Sequence, residues 1–383
     1  MGVYRADSFP SHGFRFQTLE MDSMRRMVLV CLCAVLINLS PLFGQSSLTL
    51  VGSVPGFSVP LGFAPAPNYS AVNRISLAPG QIVTLQVTGL KTVLPVGQII
   101  RATTLPLPTT LLGISVTISQ VVRGGTNVIE PAPVVALSQV NYCSSSATAG
   151  GCVNNVTYVT VQIPFELLSA VPTQIGISDN GQDFGPFDAT PTTDNIHVVT
   201  TCDTGAVFSN CQAAATHADG SLVSASSPAK ASEVIVIYAF GLGQTTPAVK
   251  TGSATPTPAP VLDPASRLGS GRTLELQYDF RPNAEPSRPF NILTGVISTT
   301  PPTAPVILLA PVFVGLTPGQ VGLYQINVQL PSAFPAAVLP CTTLIVCTGN
   351  VAFCPLPIQS NLTIDIGGVT SFDGAAICIQ PGQ

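Results

Sequence analysis

The stretch that decides the fold runs from Thr317 to Pro331 and has the sequence TPGQVGLYQINVQLP. A Pro-Gly turn signal is followed by alternating apolar and polar residues, the period of a half-buried strand, and a proline ends the run. An echo lies upstream, where Val159-Thr-Val-Gln-Ile-Pro164 matches Ile326-Asn-Val-Gln-Leu-Pro331. An Ala-Pro-Val segment precedes each copy, at Ala132–Val134 and at Ala310–Val312. These repeated strand units predict two related β domains.

The composition narrows the class of protein. Of the 383 residues, 46% are hydrophobic and only 8% are charged, with 36 prolines and 33 glycines. A soluble domain usually carries about 25% charged residues. So few charges favour a β-rich extracellular protein, whereas disorder requires low hydrophobicity and high charge. The net charge is −4, and because nucleic-acid binding requires a positive footprint, we expect no nucleic-acid partner.

Residues 24–44 have the pattern of a secretory signal peptide. Arg25 and Arg26 form its basic start, Met27–Leu39 is its apolar run, and cleavage is expected before Gln45. The apolar run has 13 residues, and a membrane span needs about 20. An uncleaved N-terminal anchor is the alternative. We expect a secreted or cell-surface protein with no transmembrane segment after the signal.

The cysteine pattern supports export. Two of the ten cysteines lie in the apolar run, and eight remain after it: Cys143, Cys152, Cys202, Cys211, Cys341, Cys347, Cys354 and Cys378. An even number in an exported chain predicts disulfide bonds. Two close pairs are expected, 143–152 and 202–211. The last four cysteines allow three connectivities, of which 341–347 with 354–378 is favoured. A zinc site is the alternative, although no C-x-x-C pair is present.

Strand signals divide the chain into regions. Residues 1–44 are the N-terminal extension and signal, 45–74 a Pro/Gly-rich lead-in, 75–205 a first domain and 206–383 a second. Short strand signals separated by turn residues in both domains predict an all-β fold of two tandem immunoglobulin-like sandwiches. A single large barrel or a short propeller is the alternative. Within the second domain, 251–270 is rich in Pro, Thr, Ala and Ser and predicts a long exposed loop.

An ordered set of motifs in the second half carries a family resemblance. They are Ala218-Asp-Gly-Ser-Leu222, Pro228-Ala-Lys230, Glu233-Val-Ile-Val-Ile-Tyr-Ala239, Gly241-Leu-Gly243, Pro247-Ala248, Pro318–Pro331 and Ile366-Gly-Gly-Val-Thr-Ser371. Over about residues 211–380 the chain resembles the C-terminal domain family of uncharacterised exported proteins of Acidobacteria such as Solibacter. The resemblance implies an exported β-rich domain, often at the end of long repetitive surface proteins, with no assigned activity. The chain departs from the pattern in an insertion at 281–305 and in the cysteine-rich segment 341–354.

An acidic segment is the candidate metal site. Asp179-Asn-Gly-Gln-Asp183 has Asp188 and Asp194 nearby. Calcium takes six to eight oxygen ligands, which Asp, Asn and backbone carbonyls supply. We therefore note Asp179, Asp183 and Asp188 as weak candidate calcium ligands. The alternative is a solvated turn, because Asp, Asn and Gly are also ordinary turn residues.

The remaining histidines and one strand face are the other candidates. His197 and His217 follow the signal, but no Gly-x-Ser-x-Gly elbow accompanies them, so both are predicted to be exposed polar residues. In the strand before Pro331, the amides of Gln325, Asn327 and Gln329 share one face, opposite an apolar face. That face is a possible binding surface, or else it is solvated or packs on a neighbouring domain.

These observations favour a non-catalytic exported protein. We expect a module for adhesion, matrix binding or ligand binding, with no cofactor beyond possible calcium and with a polysaccharide or an envelope protein as partner. A structural or assembly domain of an envelope complex is one alternative. A carbohydrate-active hydrolase that uses the acidic segment is the other. The absence of Trp and the 6% of aromatic residues count against that hydrolase and equally against a sugar-binding platform, because sugar sites stack sugars on aromatic rings.

Overall fold

The computed structural model describes residues 49–55, 75–95, 97–122, 124–125, 127–143, 152–200, 213–262, 274–279, 290–291, 296–297, 306–334, 362–366, 369–370 and 377–380. All of them belong to one compact unit, Leu48–Gln383. Every regular element within these ranges is a strand, so the all-β class is confirmed. None of these residues forms a helix with the length and hydropathy that a membrane span requires. The predicted signal peptide and the predicted boundary at 205/206 lie outside the described residues.

The first half of the chain contributes twelve described strands. They are β1 (Thr49–Pro55), β2 (Ile75–Leu77), β3 (Ile82–Thr88), β4 (Ile99–Arg101), β5 (Thr110–Leu111), β6 (Ile114–Val121), β7 (Asn127–Ala132), β8 (Val134–Cys143), β9 (Cys152–Gln162), β10 (Thr173–Asp179), β11 (Gln182–Pro191) and β12 (His197–Val198). One sheet has the order β1-β3-β9-β8-β4. The other has the order β2-β11-β10-β6-β5, with β7 also on β6. Only β2 and β11 pair in parallel among these strands.

The second half also contributes twelve described strands. They are β13 (Ala215–His217), β14 (Val234–Phe240), β15 (Thr245–Thr246), β16 (Val261–Leu262), β17 (Leu274–Asp279), β18 (Phe290–Asn291), β19 (Val296–Ile297), β20 (Val306–Leu309), β21 (Pro311–Leu316), β22 (Tyr324–Gln329), β23 (Leu362–Ile366) and β24 (Val369–Thr370). The largest sheet has the order β12-β14-β22-β21-β16-β15, with β13 also on β14. A second sheet has the order β20-β17-β23-β24, and β18 pairs with β19.

Each half encloses its own apolar core. In the first half, β3 and β9 on one sheet and β6 and β10 on the other alternate in sequence, so their apolar residues point to a common interior. In the second half, β14 and β22 supply one side of the core, and Leu362 and Ile364 of β23 supply part of the other. Two sheets that face each other across a buried apolar layer give each half a sandwich-like character.

The sequence echo corresponds to equivalent strands in the two halves. The two copies end β9 and β22, and the Ala-Pro-Val segments lead into β8 and β21. The order β3-β9-β8-β4 in the first half matches β14-β22-β21-β16 in the second. Both β8 and β21 also show an irregular register near their starts. The repeat predicted from sequence is therefore a repeat of paired central strands.

The two halves are joined by hydrogen bonds and by side-chain packing. The backbone N–H of Asn195 donates to the carbonyl of Gly241 at 2.9 Å, and Gly241 has φ +77°. The N–H of Gly252 donates to the side-chain oxygen of Gln162 at 2.7 Å. Phe165, although it belongs to the first half, packs in the core of the second. Strand β12 likewise lies before the predicted domain boundary at 205/206, and yet it pairs with β14 of the second half.

The prediction that residues 251–270 form a long exposed loop is wrong for the first part of that range. Gly252 and Thr255 are buried, and the hydroxyl of Thr251 accepts from the backbone N–H of Phe165 at 2.9 Å. The N–H of Thr255 donates to the carbonyl of Gln320 at 2.9 Å. Pro, Thr and Ser indicate an irregular backbone but not its exposure, because the hydroxyls can satisfy hydrogen bonds at a buried junction.

Candidate functional site

The acidic segment forms the turn of the β10–β11 hairpin. Asn180 and Gly181 are its two central residues, with φ +52° and +82°, and Asp179 pairs with Gln182 across the turn. Positive φ at both central positions is the type I′ turn that Asn-Gly favours. The local sequence therefore accounts for the hairpin without a bound ion.

The carboxylate of Asp179 is buried and holds a neighbouring loop. Asp179 is 3% exposed. Its Oδ2 accepts from the backbone N–H groups of Lys91 at 2.6 Å and Thr92 at 3.0 Å. Its Oδ1 accepts from the hydroxyl of Thr92 and from the side-chain amide of Asn180. Four donors occupy both oxygens, so Asp179 acts as an anchor for residues 91–92.

The other two candidate calcium ligands lie away from Asp179. Asp183 pairs with Ser178 and Asp188 with Gln174, so both point to the sheet face opposite Asp179. Their partners, Gln174 and Ser178, are four positions apart in β10, about 13 Å along the strand. Both are exposed, and Asp188 accepts from Gln174 at 3.1 Å. The structure does not bring the three carboxylates together. No group of three or more His, Cys, Asp or Glu side chains suited to a metal occurs among the described residues.

The predicted disulfide cysteines are described only in part. Cys143 and Cys152 lie directly opposite each other in the β8–β9 ladder. Opposite residues in an antiparallel pair have Cα atoms about 4.5–5.5 Å apart, within the range that a disulfide spans. Cys378 is disulfide-bonded, and its partner is not among the described side chains. The pairings themselves stay predictions, and Cys202, Cys211, Cys341, Cys347 and Cys354 lie outside the described residues.

The predicted alternation in β22 is present in the structure. Tyr324, Ile326 and Val328 are buried in the core, and Gln325, Asn327 and Gln329 lie on the other face, which we call the amide face. Because β22 is central in its sheet, strands β14 and β21 flank this face on both sides.

The neighbours of the amide face are mostly apolar. Tyr238 and Val236 of β14 lie beside Gln325 and Asn327, and Phe313 of β21 lies on the other side of Asn327. All five of these side chains are half-buried. The side-chain oxygen of Asn327 is buried and has no hydrogen-bond partner, which costs about 1–3 kcal/mol.

A cluster that the sequence analysis missed surrounds His217. Its Nδ1 hydrogen-bonds to the carboxylate of Glu233, and its Nε2 lies 3.1 Å from the hydroxyl oxygen of Ser227. The same Nε2 lies 3.1 Å from the backbone carbonyl of Ser227. The other oxygen of Glu233 accepts from the backbone N–H of Lys230 at 2.8 Å. We call His217, Ser227 and Glu233 the Ser–His–Glu cluster.

Three chain segments build this cluster. His217 ends β13, which pairs with β14. Ser227 closes a turn in which its N–H donates to the carbonyl of Ser224 at 3.1 Å. Glu233 immediately precedes β14. Ser227 is exposed, whereas the side chains of His217 and Glu233 are 12% and 21% exposed. The predicted exposure of His217 is therefore wrong, because the following turn folds back over it.

The environment of His217 favours its charged form. The hydrogen bond to Glu233 raises the pKa of His217 above its ordinary value, and the Ser227 carbonyl and the charges of Glu233 and Asp219 act in the same direction, against the opposing effect of burial. Hydrogen bonds from the hydroxyl and N–H of Ser221 lower the pKa of Asp219. The protonated imidazole of His217 donates one hydrogen bond to Glu233 and one to the Ser227 carbonyl. These two bonds hold the turn in place.

This arrangement gives a pH-dependent stability. Because the pKa of His217 is raised in the folded protein, its stabilisation is complete below the unfolded value of about 6.5 and is lost as pH rises through the folded pKa. Urea denaturation at a series of pH values should show this loss in the wild type and a smaller loss in Glu233→Gln. Equal pH dependence in the two proteins would show that Glu233 does not raise the pKa of His217.

The second histidine is placed elsewhere. His197 lies in β12, where it pairs with Phe240, and it is half-buried. It belongs to a different strand from His217, and the two pair with opposite ends of β14. The prediction that His197 is exposed is wrong.

Comparison with known proteins does not assign the site. No family model matches the chain, and a search of curated proteins finds no match. The resemblance over about residues 211–380 to an exported domain family of Acidobacteria stays a prediction. Any function must therefore be inferred from the chemistry of the described residues.

Proposed function

We propose that this chain is an exported, non-catalytic module that binds an extracellular polysaccharide through the amide face. The observation that carries the proposal is the unpartnered, buried side-chain oxygen of Asn327 at the centre of that face. A buried acceptor without a donor is destabilising, and a rotation of the half-buried Asn327 side chain would let a ligand hydroxyl satisfy it. The export assignment rests on the signal-like segment at 24–44 and on the cysteine pattern.

The surroundings of Asn327 suit a neutral, hydroxyl-rich ligand. Gln325 and Gln329 add two further amides on the same face, and amides both donate to and accept from hydroxyls. Tyr238 and Phe313 place half-buried aromatic rings on either side, which offer apolar area to a sugar ring. No Lys, Arg, Asp or Glu lies among the strand residues that pair with the amide face.

The finer architecture that we propose is two tandem immunoglobulin-like sandwiches. The matching strand orders β3-β9-β8-β4 and β14-β22-β21-β16 support this proposal. So does the presence of one apolar core in each half. In such folds binding residues are carried by a rigid sheet or by the loops at its ends, and a central strand such as β22 is a rigid support.

The hydrolase alternative finds little support in the acidic segment. Glycosidases need two carboxyl groups about 5–9.5 Å apart. Asp179 is buried and holds four donors, while Asp183 and Asp188 are about 13 Å apart along the strand. A structural or assembly role, or an envelope protein as the ligand, is distinguished by the binding experiment.

The test is a binding screen with a single substitution. The full chain, produced in an oxidising compartment, is titrated with a panel of polysaccharides and with envelope fractions. We expect saturable binding to one polysaccharide, and Asn327→Ala should weaken it about tenfold, because one hydrogen bond at a desolvated site contributes about 1–1.5 kcal/mol.

Gln320→Ala is the matched control. Gln320 is an exposed amide in the turn before β22, away from the amide face, so its removal should leave the affinity unchanged. Equal affinities for wild type and Asn327→Ala would exclude the amide face as the binding surface. Binding only to envelope proteins, or to nothing, would favour the structural or assembly role.

A further inference from the structure

We propose that Ser227 is an acylation site, an exposed hydroxyl that reacts once with an activated acyl donor with His217 as its general base. The inference concerns a different surface from the amide face and does not depend on polysaccharide binding. It rests on the geometry of the Ser–His–Glu cluster.

The cluster has the three connections that activate a serine. The hydroxyl of Ser227 lies 3.1 Å from Nε2 of His217. The other ring nitrogen is bonded to Glu233, which is itself held by the N–H of Lys230. A nucleophile bonded to a base, with a carboxylate that orients the base from its far side, is the arrangement that nucleophilic catalysis uses on unrelated folds.

The chemistry balances without a cofactor. The oxygen of Ser227 attacks the carbonyl carbon of an activated ester, and its proton passes to Nε2 of His217. The new bond joins the serine oxygen to the acyl carbon. The bond from that carbon to the leaving oxygen breaks, and the leaving group takes the proton from Nε2. The products are O-acyl-Ser227 and a free alcohol or phenol.

The local backbone limits the reaction to activated donors. Oxyanion holes usually use backbone N–H groups at or next to the nucleophile. The N–H of Ser227 already donates to the carbonyl of Ser224, and residue 228 is a proline, which has no N–H. Without these donors the tetrahedral intermediate is poorly stabilised, so ordinary esters do not react and the acyl-serine accumulates. The reaction therefore yields a protein acylated once at Ser227, without repeated catalytic turnover.

The two contacts of Nε2 make the site dependent on pH. When His217 is protonated, Nε2–H donates to the carbonyl of Ser227, and no lone pair is free to take a proton. When His217 is neutral with its hydrogen on Nδ1, Nε2 accepts from the Ser227 hydroxyl. Acylation therefore requires the neutral form. Glu233 and Asp219 are the charged groups that act on the ring, and the hydrogen bond to Glu233 is the main cause of the raised pKa of His217.

The experiment measures acetylation of the full chain by p-nitrophenyl acetate. Peptide mass spectrometry compares Ser227 with Ser226, an exposed serine of the same turn whose hydroxyl hydrogen-bonds to that of Ser224 instead of to His217. General-base assistance contributes about 10²–10⁴-fold. We expect Ser227 to react at least about 10²-fold faster than Ser226 and His217→Gln to remove this advantage. The rate should rise with pH to a plateau.

Glu233→Gln separates a positioning role from a structural one. Because Glu233 raises the pKa of His217, this variant should reach its plateau at lower pH. Ser227→Ala should lose the modification while Ser226→Ala keeps it. An advantage of Ser227 below about 10²-fold, or an unchanged rate in a folded His217→Gln protein, would overturn the proposal. Circular dichroism checks the folding of each variant.

Discussion

Gly241→Ala is expected to lower the free energy of unfolding by about 3–5 kcal/mol. A Cβ at this position would lie 2.1 Å from the backbone carbonyl oxygen of Asn195. Because that neighbour is backbone, it cannot move aside as a flexible side chain would. The residue also has φ +77°, which an L side chain rarely adopts. Relief of the clash would break the bond from the N–H of Asn195 to Gly241. Urea denaturation of the full chain measures the loss.

Gly220→Ala is the matched control for this prediction. Gly220 has a similar φ of +85°, but nothing lies within 4 Å of its missing Cβ. Only the backbone strain remains, so the expected loss is about 1–2 kcal/mol. The difference between the two variants isolates the close approach of the two halves at Gly241. Equal losses would show that the halves are not tightly joined there.

Asp179→Ala is expected to lower the free energy of unfolding by about 3 kcal/mol. The substitution leaves the N–H groups of Lys91 and Thr92 without their acceptor in a partly buried setting. Hydrogen bonds to a charged group contribute about 1.5–3 kcal/mol each, and entry of water offsets part of the loss. Hydrogen exchange at residues 91–92 should increase, because the carboxylate holds that loop.

Asp183→Ala is the control for the carboxylate. Asp183 is an exposed aspartate in the same hairpin, and its removal should change stability by no more than about 0.5 kcal/mol. Both titrations are run with and without calcium. A calcium-dependent midpoint in the wild type that disappears in Asp179→Ala would show that this carboxylate is a ligand rather than a loop anchor.

Several elements could be predicted because their signal is local. The alternation in Tyr324–Gln329 gives the buried and open faces of β22, and the Asn180-Gly181 pair gives the turn of the β10–β11 hairpin. Strand β11 could not be predicted in this way. It contains Asp183, Gly185, Pro186 and Asp188, which are poor strand formers. Its pairing with β10 on one side and β2 on the other imposes the extended backbone.

The candidate sites show the same difference between local signals and long-range contacts. The amide face follows from a period of two within one strand, so Gln325, Asn327 and Gln329 were predicted together. The three candidate calcium ligands do not come together, because successive side chains of a strand point to opposite faces and the register places Asp183 beside Ser178 instead of Asp179. Three of the four donors to Asp179 come from Lys91 and Thr92, 88 and 87 positions earlier in the chain, and no local pattern indicates them.

The sequence by itself therefore determined the all-β class, the repeated central strands and the faces of those strands, because turn residues and a two-residue period act over a few neighbours. Only the tertiary structure decided which side chains meet. His217, Ser227 and Glu233 come together because β13 pairs with β14 and the turn between them folds back over the imidazole. The junction at Gly241 likewise depends on contacts between distant segments. Such contacts are set by sheet pairing and packing, which local periodicity does not encode.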